Sequence, residues 1–279
     1  MKIAVLSGKG GTGKTFVAVN LAAASFQSTY LDCDVEEPNG HLFFKPSIDN
    51  SEEVRVKIPF VIPSLCNGSR KCVEFCRYNA LAYVQEKLIV FEDICHSCGG
   101  CVLVCPNDAI KEKDKGIGMI QDGKSDDVRV ISGFLNPGKA SGIPIIKRIL
   151  QKTKPEDKRV FIDCPPGSSC IVMESIKNAD FCLIVAEPTI FGVHNLAMVH
   201  ELVSVFKKPF AVVLNKCSNE ENPAKTYCLE QKIDIIAEIP YNEEIGTVCS
   251  NGFILVRKLP KYRSMFENIL VTIEKGVGK

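Results

Sequence analysis

The sequence predicts an α/β fold: a mostly parallel sheet with helices on both faces, interrupted by a small inserted α+β unit. Short apolar runs alternate with helical stretches along most of the chain, which is typical of parallel sheets buried on both faces. The alternation stops between about residues 45 and 125 and then resumes, which indicates an insertion. Seven of the 14 cysteines lie inside that insertion, from Cys66 to Cys105.

The predicted elements follow one another from the first residues onward. Residues 2–6 form a short apolar run that ends at a Gly-rich turn, and 15–24 form an Ala-rich stretch without Gly or Pro, so the chain begins as strand, loop and helix. Further strands are predicted over 28–33, 128–134, 159–163, 181–186, 210–214 and 233–239. Further helices are predicted over 143–153, 168–177, 191–206, 219–232 and 263–275, and a polar turn over 121–127 joins two strands.

The composition favours a folded protein of about two domains. The chain has 279 residues, 46% of them hydrophobic, which is ample for a packed core. A net charge of +1 argues against a broadly basic nucleic-acid-binding surface. The apolar runs are too short to cross a bilayer, and cleavage of the first one as a signal peptide would cut into the Gly-rich loop. We therefore expect a cytoplasmic protein without a stable membrane anchor.

The Gly-rich turn matches the phosphate-binding pattern G-x-x-x-x-G-K-[ST] between a predicted strand and a predicted helix. Its glycines allow backbone N–H groups to converge on phosphate oxygens, Lys14 neutralises the β- and γ-phosphates of ATP, and the Thr15 hydroxyl is placed to bind Mg²⁺. The alternative is a Gly-rich surface turn without a ligand. The expected nucleotide contacts in this segment are Gly8, Lys9, Gly10, Gly11, Thr12, Gly13, Lys14, Thr15 and Phe16.

The insertion contains an internal repeat. A shift of 29 residues places Cys66, Cys72 and Cys76 on Cys95, Cys101 and Cys105, and four further pairs are identical or similar. Such agreement at one offset indicates a duplicated half-domain. In a reducing compartment, cysteines at this density and spacing indicate metal ligation rather than disulfides.

The run Cys95-x2-Cys98-x2-Cys101-x3-Cys105-Pro106 resembles that of bacterial ferredoxins, in which the fourth cysteine of each run ligates the other cluster. This resemblance implies one complete [4Fe–4S] site. A zinc site is the alternative, although zinc is more often held by paired C-x2-C units. The ligands that the resemblance implies for the complete cluster are Cys76, Cys95, Cys98 and Cys101.

The second cluster site is incomplete, because Ser69 stands where a second cysteine is expected. Cys66, Cys72 and Cys105 remain as ligands, and the fourth ligand is uncertain. Ser69 could ligate as an alkoxide, the site could hold a [3Fe–4S] cluster or a labile [4Fe–4S] cluster with an open iron, or it could be empty. We favour a cluster held by three thiolates, since thiolate suits iron–sulfur clusters better than alkoxide does.

The second lysine of the phosphate loop, Lys9, makes the loop resemble the deviant Walker A motif of the MinD/ParA/Mrp family of P-loop ATPases. The resemblance implies a homodimer in which Lys9 acts on the partner's nucleotide. It also implies that Asp34 orients the attacking water and that Asp163 holds Mg²⁺ through water. Asn215 would read adenine and Pro240 would pack against the base. The alternative to these functional roles is structural. The two aspartates could cap a helix or a turn, and Asn215 and Pro240 could stabilise turns.

The resemblance implies an ATPase domain over 1–56 and 116–279 and a ferredoxin-like domain over 57–115. The predicted function is ATP hydrolysis coupled, through dimer switching, to electron transfer toward a protein acceptor. One alternative is an iron–sulfur cluster carrier of the Mrp type, although the C-terminal half lacks the C-x-x-C that such carriers usually have. A second alternative is a redox-sensing regulatory ATPase.

Overall fold

The computed structural model describes residues 1–218 and 221–277, and its centre is a nine-stranded sheet. The strands of the described residues are β1 (Lys2–Leu6), β2 (Ser28–Asp32), β3 (Ser47–Val61), β4 (Leu81–Val84), β5 (Lys87–Val90), β6 (Ile110–Ser125), β7 (Val128–Leu135), β8 (Arg159–Asp163), β9 (Phe181–Ala186), β10 (Phe210–Cys217) and β11 (Ile235–Pro240). The sheet order is β11-β10-β9-β1-β8-β2-β7-β6-β3, while β4 and β5 form a separate hairpin. From β11 to β7 neighbouring strands are parallel, and β6 and β3 extend the sheet as antiparallel strands.

The helices cover both faces of this sheet. They are α1 (Lys14–Ala24), α2 (Gly40–Phe44), α3 (Lys71–Phe75), α4 (Gly100–Leu103), α5 (Ile143–Gln151), α6 (Cys170–Ile176), α7 (Ile190–Val205), α8 (Pro223–Glu230), α9 (Glu243–Ser250), α10 (Leu255–Lys258) and α11 (Arg263–Val277). In β1, Ile3 and Val5 face the apolar layer that contains α1 and α9–α11, whereas Ala4 and Leu6 face the layer that contains α5–α8. Because successive strand residues point to opposite faces, a strand covered on both sides must be apolar throughout.

The insertion is joined to the sheet by two long strands. β3 and β6 pair antiparallel from Ser47 opposite Lys124 to Val61 opposite Ile110, and both continue through the predicted domain boundaries at 56/57 and 115/116. At the far end, α3, α4 and the β4–β5 hairpin pack around a small apolar cluster. A long antiparallel ribbon therefore carries the insertion and belongs to the central sheet at its other end.

An ion bridge also fixes the insertion to the rest of the chain. Asp93, in the loop before Cys95, lies 2.9 Å from Lys115 of β6 and 2.8 Å from Lys139, in the loop that follows β7. Hydrogen bonds from Lys139 and Lys115 lower the pKa of Asp93 to about 2, so its carboxylate is charged at neutral pH. The loop that carries the first cysteine of the second run is thus held against the main sheet.

The backbone repeats across the two halves of the insertion. Left-handed φ angles occur at corresponding positions 29 residues apart, and the short helices α3 and α4 follow the same offset. The three pairs with positive φ are Gly68 and Ser97, Arg70 and Gly99, and Asn79 and Asp108. This agreement supports the predicted duplication, because left-handed angles are uncommon outside glycine.

The predicted α/β sheet is confirmed, and the predicted elements differ from the observed ones mainly at their ends. The helix predicted over 168–177 is Cys170–Ile176, and the strand predicted over 210–214 extends to Cys217. The predicted start of the helix over 219–232 falls on residues 219–220, outside the described residues, and α8 begins at Pro223. Among the described residues, no helix has the length and apolar character needed to span a membrane.

Gly133 of β7 tests how tightly the sheet packs on α5. A Cβ at this position would lie 2.6 Å from Ile149 Cδ1 and 2.7 Å from Ile145 Cγ2, so we expect Gly133→Ala to lower the free energy of unfolding by about 1–3 kcal/mol. Gly246→Ala in α9 is the control, because nothing lies within 4 Å of its Cβ position and alanine favours helix by about 0.5–1 kcal/mol. Urea denaturation measures both, and equal stability of the two variants would contradict this account of the packing.

Candidate functional site

The Gly-rich turn forms a loop between the carboxyl end of β1 and the start of α1. Gly11 and Gly13 have left-handed φ angles of 83° and 90°, which side chains other than glycine rarely adopt. A Cβ at Gly13 would also lie 2.1 Å from the Asn215 side-chain nitrogen, so the loop passes too close to β10 for any side chain there. The loop therefore has the backbone form that glycine alone permits at these two positions.

A cavity of about 470 Å³ opens over this loop. Leu42, Phe43, Cys249 and Gly252 contribute apolar groups to its lining. The Thr12 hydroxyl is buried without a hydrogen-bond partner among the described residues. The loop residues that line the cavity are Lys9, Gly10, Gly11, Thr12, Gly13, Lys14, Thr15 and Phe16, whereas Gly8 lies against Asn195 of α7. A cavity lined both by the polar groups of this loop and by apolar side chains suits a nucleotide, since the loop can bind phosphate and the apolar groups can contact the base.

Lys14 lies in the centre of the site as a buried cation. Its Nζ is 2.6 Å from Asp163 Oδ1 and 3.8 Å from Asp34 Oδ2, and its side chain is only 6% exposed. The Tyr30 hydroxyl donates to the other oxygen of Asp163 over 2.7 Å. Burial alone would lower the pKa of Lys14, but Asp163 and Asp34 more than offset it and raise that pKa. The lysine is therefore charged and is positioned by carboxylates from two other strands.

The site holds more carboxylates than this one lysine can balance. Asp32, at the end of β2, accepts a hydrogen bond from the Gly40 backbone N–H over 2.8 Å. Burial, followed by repulsion from Asp163, raises the pKa of Asp32 to about 8, and burial raises the pKa of Asp34 to about 6. Excess carboxylates at the carboxyl edge of a parallel sheet, with the Thr15 hydroxyl on the same cavity, form a donor set that fits Mg²⁺.

The rim of the loop is held by a carboxylate that the sequence analysis did not identify. Glu187, after β9, lies 3.2 Å from Lys9 and 2.6 Å from Lys216. Lys216 also donates to the Gly11 carbonyl over 2.8 Å. Lys9 is therefore paired within its own chain here, at 42% exposure, on the outer side of the loop.

Asn215 and Pro240 occupy different positions from each other. Asn215 is buried beneath the loop, and its amide donates to the Thr12 carbonyl over 2.8 Å. Pro240 is exposed at the end of β11, opposite Cys217 in the sheet register. Neither residue lines the cavity over the loop.

The cysteines of the insertion surround two small cavities. One is lined by Cys76, Cys95, Cys98 and Cys101. The other is lined by Cys66, Cys72 and Cys105, with Ser69 beside them. We call them the four-cysteine cavity and the three-cysteine cavity. Each takes its last cysteine from the other half of the repeat, so the structure brings together both predicted groups.

The surroundings of these cysteines fit iron–sulfur clusters. Backbone N–H groups point at sulfur in both halves, from Ala80 to Cys76 over 3.4 Å and from Ala109 to Cys105 over 3.3 Å. Such N–H···S bonds stabilise and tune clusters. Among the described residues, no three His, Cys, Asp or Glu side chains lie close enough together to hold a single metal ion. What the structure offers a cluster is its donor set: cysteines from both halves of the repeat line each cavity, and backbone N–H groups point at their sulfurs.

Comparisons with known proteins place the chain in a family. A family model described as the CobQ/CobB/MinD/ParA nucleotide binding domain matches residues 3–252. An uncharacterised protein of Methanocaldococcus jannaschii is 30% identical over 278 residues, covering 97% of this chain and 98% of that protein. The crystal structure of the cell division ATPase MinD of Pyrococcus furiosus has a TM-score of 0.62 and covers 98% of both chains at 19% identity, which shows a shared fold.

Shorter matches relate parts of the chain to iron–sulfur proteins. An iron–sulfur cluster carrier protein of Pyrococcus furiosus is 60% identical over 42 residues, which is 14% of each chain. A protein named Ferredoxin 7Fe, from Hydrogenibacillus schlegelii, is 33% identical over 57 residues, or 20% of this chain and 73% of that one. The chain thus combines similarity to a nucleotide-binding domain with partial similarity to iron–sulfur proteins.

Asn215→Ala tests whether this side chain reads the base or positions the loop. Because its amide donates to the Thr12 carbonyl, we expect the variant to weaken ATP and GTP binding by the same factor, about 2- to 10-fold for one lost hydrogen bond. Equilibrium binding of the two nucleotides measures this, with Asn268→Ala on the exposed side of α11 as the control. Loss of ATP affinity with GTP affinity unchanged would instead assign Asn215 to the base.

Proposed function

The chain belongs to the CobQ/CobB/MinD/ParA family of nucleotide-binding domains, and on that basis we propose that it is an Mg²⁺-dependent ATPase that couples nucleotide-driven dimer switching to electron transfer through ferredoxin-type clusters. In this proposal Lys14 and the loop N–H groups bind the β- and γ-phosphates. Thr15 and Asp163 hold Mg²⁺, Asp34 orients the attacking water, and Lys9 completes the site of a second copy. ATP hydrolysis then involves charge stabilisation by groups that are already positioned before the reaction.

The iron–sulfur part of the proposal assigns each cavity one cluster. The four-cysteine cavity would hold a [4Fe–4S] cluster, and the three-cysteine cavity would hold a [3Fe–4S] or an open [4Fe–4S] cluster. Clusters of these types carry single electrons. The partial similarity to a protein named Ferredoxin 7Fe supports a seven-iron content.

One observation carries the coupling: a continuous set of contacts runs from the nucleotide cavity to the four-cysteine cavity. Val35 directly follows Asp34, and its carbonyl accepts a hydrogen bond from the Leu135 N–H over 2.7 Å. The next residue, Asn136, donates to the Ile117 carbonyl of β6 over 2.8 Å, and three residues later Lys139 binds Asp93. A displacement of the Asp34 segment would therefore be transmitted through these contacts to the loop that carries Cys95.

Cluster carriage is the second candidate function, and Ser69 favours it. With three thiolates, an iron at the three-cysteine cavity would lack a protein ligand and exchange more easily. Anaerobic incubation of dithionite-reduced, cluster-loaded protein with ATP, in one sample with an apo-ferredoxin and in another with an oxidised holo-ferredoxin, distinguishes the two functions. Transfer of iron to the apo-ferredoxin supports carriage, whereas reduction of the holo-ferredoxin with all iron retained supports electron transfer.

Iron content tests the two-cluster assignment. After anaerobic reconstitution we expect about 7–8 iron per chain, and we expect Ser69→Cys to give about 8 and to remove any three-iron EPR signal. The control is Cys170→Ser, because Cys170 is exposed on α6 and lies outside both cavities. About 4 iron per chain with no three-iron signal would leave only one cluster.

Asp93→Asn tests the coupling route. We expect the wild-type ATPase rate to change when the clusters are reduced with dithionite, and the variant to lose most of that change while keeping its iron and its basal rate. Asp114→Asn is the matched control, since Asp114 pairs with Lys57 over 3.0 Å within the same ribbon and touches nothing of the main sheet's loops. Equal redox responses in wild type and Asp93→Asn would exclude this bridge as the coupling element.

A further inference from the structure

The two cysteine cavities have equivalent linings but unequal charge. A shift of 29 residues relates nine lining residues of one cavity to nine of the other, so the duplication built two copies of one site. The pairs are Cys66 and Cys95, Asn67 and His96, Ser69 and Cys98, Arg70 and Gly99, Cys72 and Cys101, Leu88 and Pro59, Cys105 and Cys76, Ala109 and Ala80, and Ile110 and Leu81. Among these pairs, only the one of Arg70 with Gly99 changes a fixed charge.

Arg70 is fixed at the three-cysteine cavity by its backbone and by an aromatic ring. Its φ is 57°, a left-handed angle that costs a residue with a side chain about 1 kcal/mol or more, and Gly99 adopts the same region at 72°. The Arg70 guanidinium lies 5.1 Å above the ring of Tyr83, which lines the same cavity. No carboxylate of the described residues lies within ion-pair distance of it. A cation without an ion-pair partner therefore lines the three-cysteine cavity, and because Arg70 is exposed, solvent weakens its effect without reversing its sign.

The corresponding position at the four-cysteine cavity has a carboxylate nearby instead of a cation, and Lys115, which acts on Cys95, is itself paired with Glu92 and Asp93. Gly99 has no side chain, and a Cβ built there would lie 3.6 Å from the Glu112 carboxylate. Glu112 is the residue 29 positions after Tyr83, so the duplicated site carries a carboxylate where the first carries the ring under Arg70. Glu112 is exposed, which weakens its effect but does not reverse its sign.

These charges act on any group that gains an electron. A nearby cation stabilises the added negative charge, and a nearby carboxylate destabilises it, so net charge around a cluster sets its reduction potential. We propose, building on the two-cluster function above, that Arg70 over Tyr83 makes the three-cysteine site the electron acceptor of the pair, while Glu112 makes the four-cysteine site the donor. With clusters bound, one electron would pass from the four-cysteine site to the three-cysteine site, and no covalent bond to the protein would form or break. The role of Arg70 would be to supply the positive charge that stabilises the added electron.

Arg70→Gly is the direct test, because it installs the residue that the other half carries and suits the left-handed backbone. We expect a lower midpoint potential for the three-cysteine cluster in an EPR-monitored dithionite titration of the reconstituted full chain. Arg70→Lys keeps the charge and should remain close to wild type. Lys71→Gln is the matched control, since Lys71 is exposed next to Arg70 but does not line the cavity.

Glu112→Gln is the independent test at the other cavity, and it leaves Arg70 untouched. We expect it to raise the midpoint potential of the four-cysteine cluster and to narrow the gap between the two sites. If Arg70→Gly cannot retain its cluster, Arg70→Gln, which removes the charge and keeps a long side chain, replaces it, with Arg70→Lys as its matched control.

The inference is overturned if Arg70→Gly shifts the potential no more than Lys71→Gln does, or if Glu112→Gln leaves the four-cysteine potential unchanged. Failure of the proposed function gives a different result, because wild-type protein would then hold no iron after reconstitution. Iron retained in both sites with potentials indifferent to these charges would refute this inference alone.

Discussion

The buried charge of Lys14 is the constraint around which the nucleotide site is organised. A lysine that is 6% exposed must be neutralised, and the chain does this with Asp163 at the end of β8 and Asp34 after β2. Removing one partner of such a buried pair generally costs about 3–5 kcal/mol, because the other charge remains buried. Lys14 thus links the start of α1 to the carboxyl ends of β8 and β2, and the Tyr30 hydroxyl binds the second oxygen of Asp163. The same carboxylates lie at the carboxyl edge of the sheet, where a Mg²⁺ ion bound to phosphate would be attracted to their negative charge.

The β3–β6 ribbon gives the insertion a mechanical connection that a flexible linker would lack. Two linkers would leave the cysteine half free to reorient, whereas paired strands in the main sheet transmit displacement along their hydrogen bonds. The ion pairs of Asp93 add a second attachment close to Cys95, so the insertion is joined to the main sheet at two places. The ribbon and the loop after β7, which contacts Val35, are therefore the two routes that the proposed coupling would use.

The sequence predicts the parallel strands well because burial on both faces demands apolar runs, as in β9, where every residue is buried. The same criterion misses β3, whose outer residues are charged and whose buried positions are few, among them Val54 and Ile58. The cysteine groups are predictable because the repeat fixes which cysteines correspond. Glu187 was not found, because its pairing with Lys9 joins residues far apart in the chain and follows only from the fold. The position of Asn215 beneath the loop likewise depends on how closely β10 approaches Gly13.

The duplicated insertion shows how one backbone can support two cysteine sites with different surroundings. Conserving the left-handed turns and the N–H···S bonds keeps the cysteines in place, while side chains at the edges of the cavities are free to differ. A pair of equal potentials would let an electron reside on either site, so a directional transfer needs some asymmetry between them. In the proposal, Arg70 at one cavity and Glu112 at the other add to the difference in cluster type, with opposite signs. Carriage would require the three-cysteine site to release its cluster, yet a fixed cation beside an anionic cluster favours retention. The charge at Arg70 therefore weighs toward electron transfer, against the exchange that Ser69 by itself would permit.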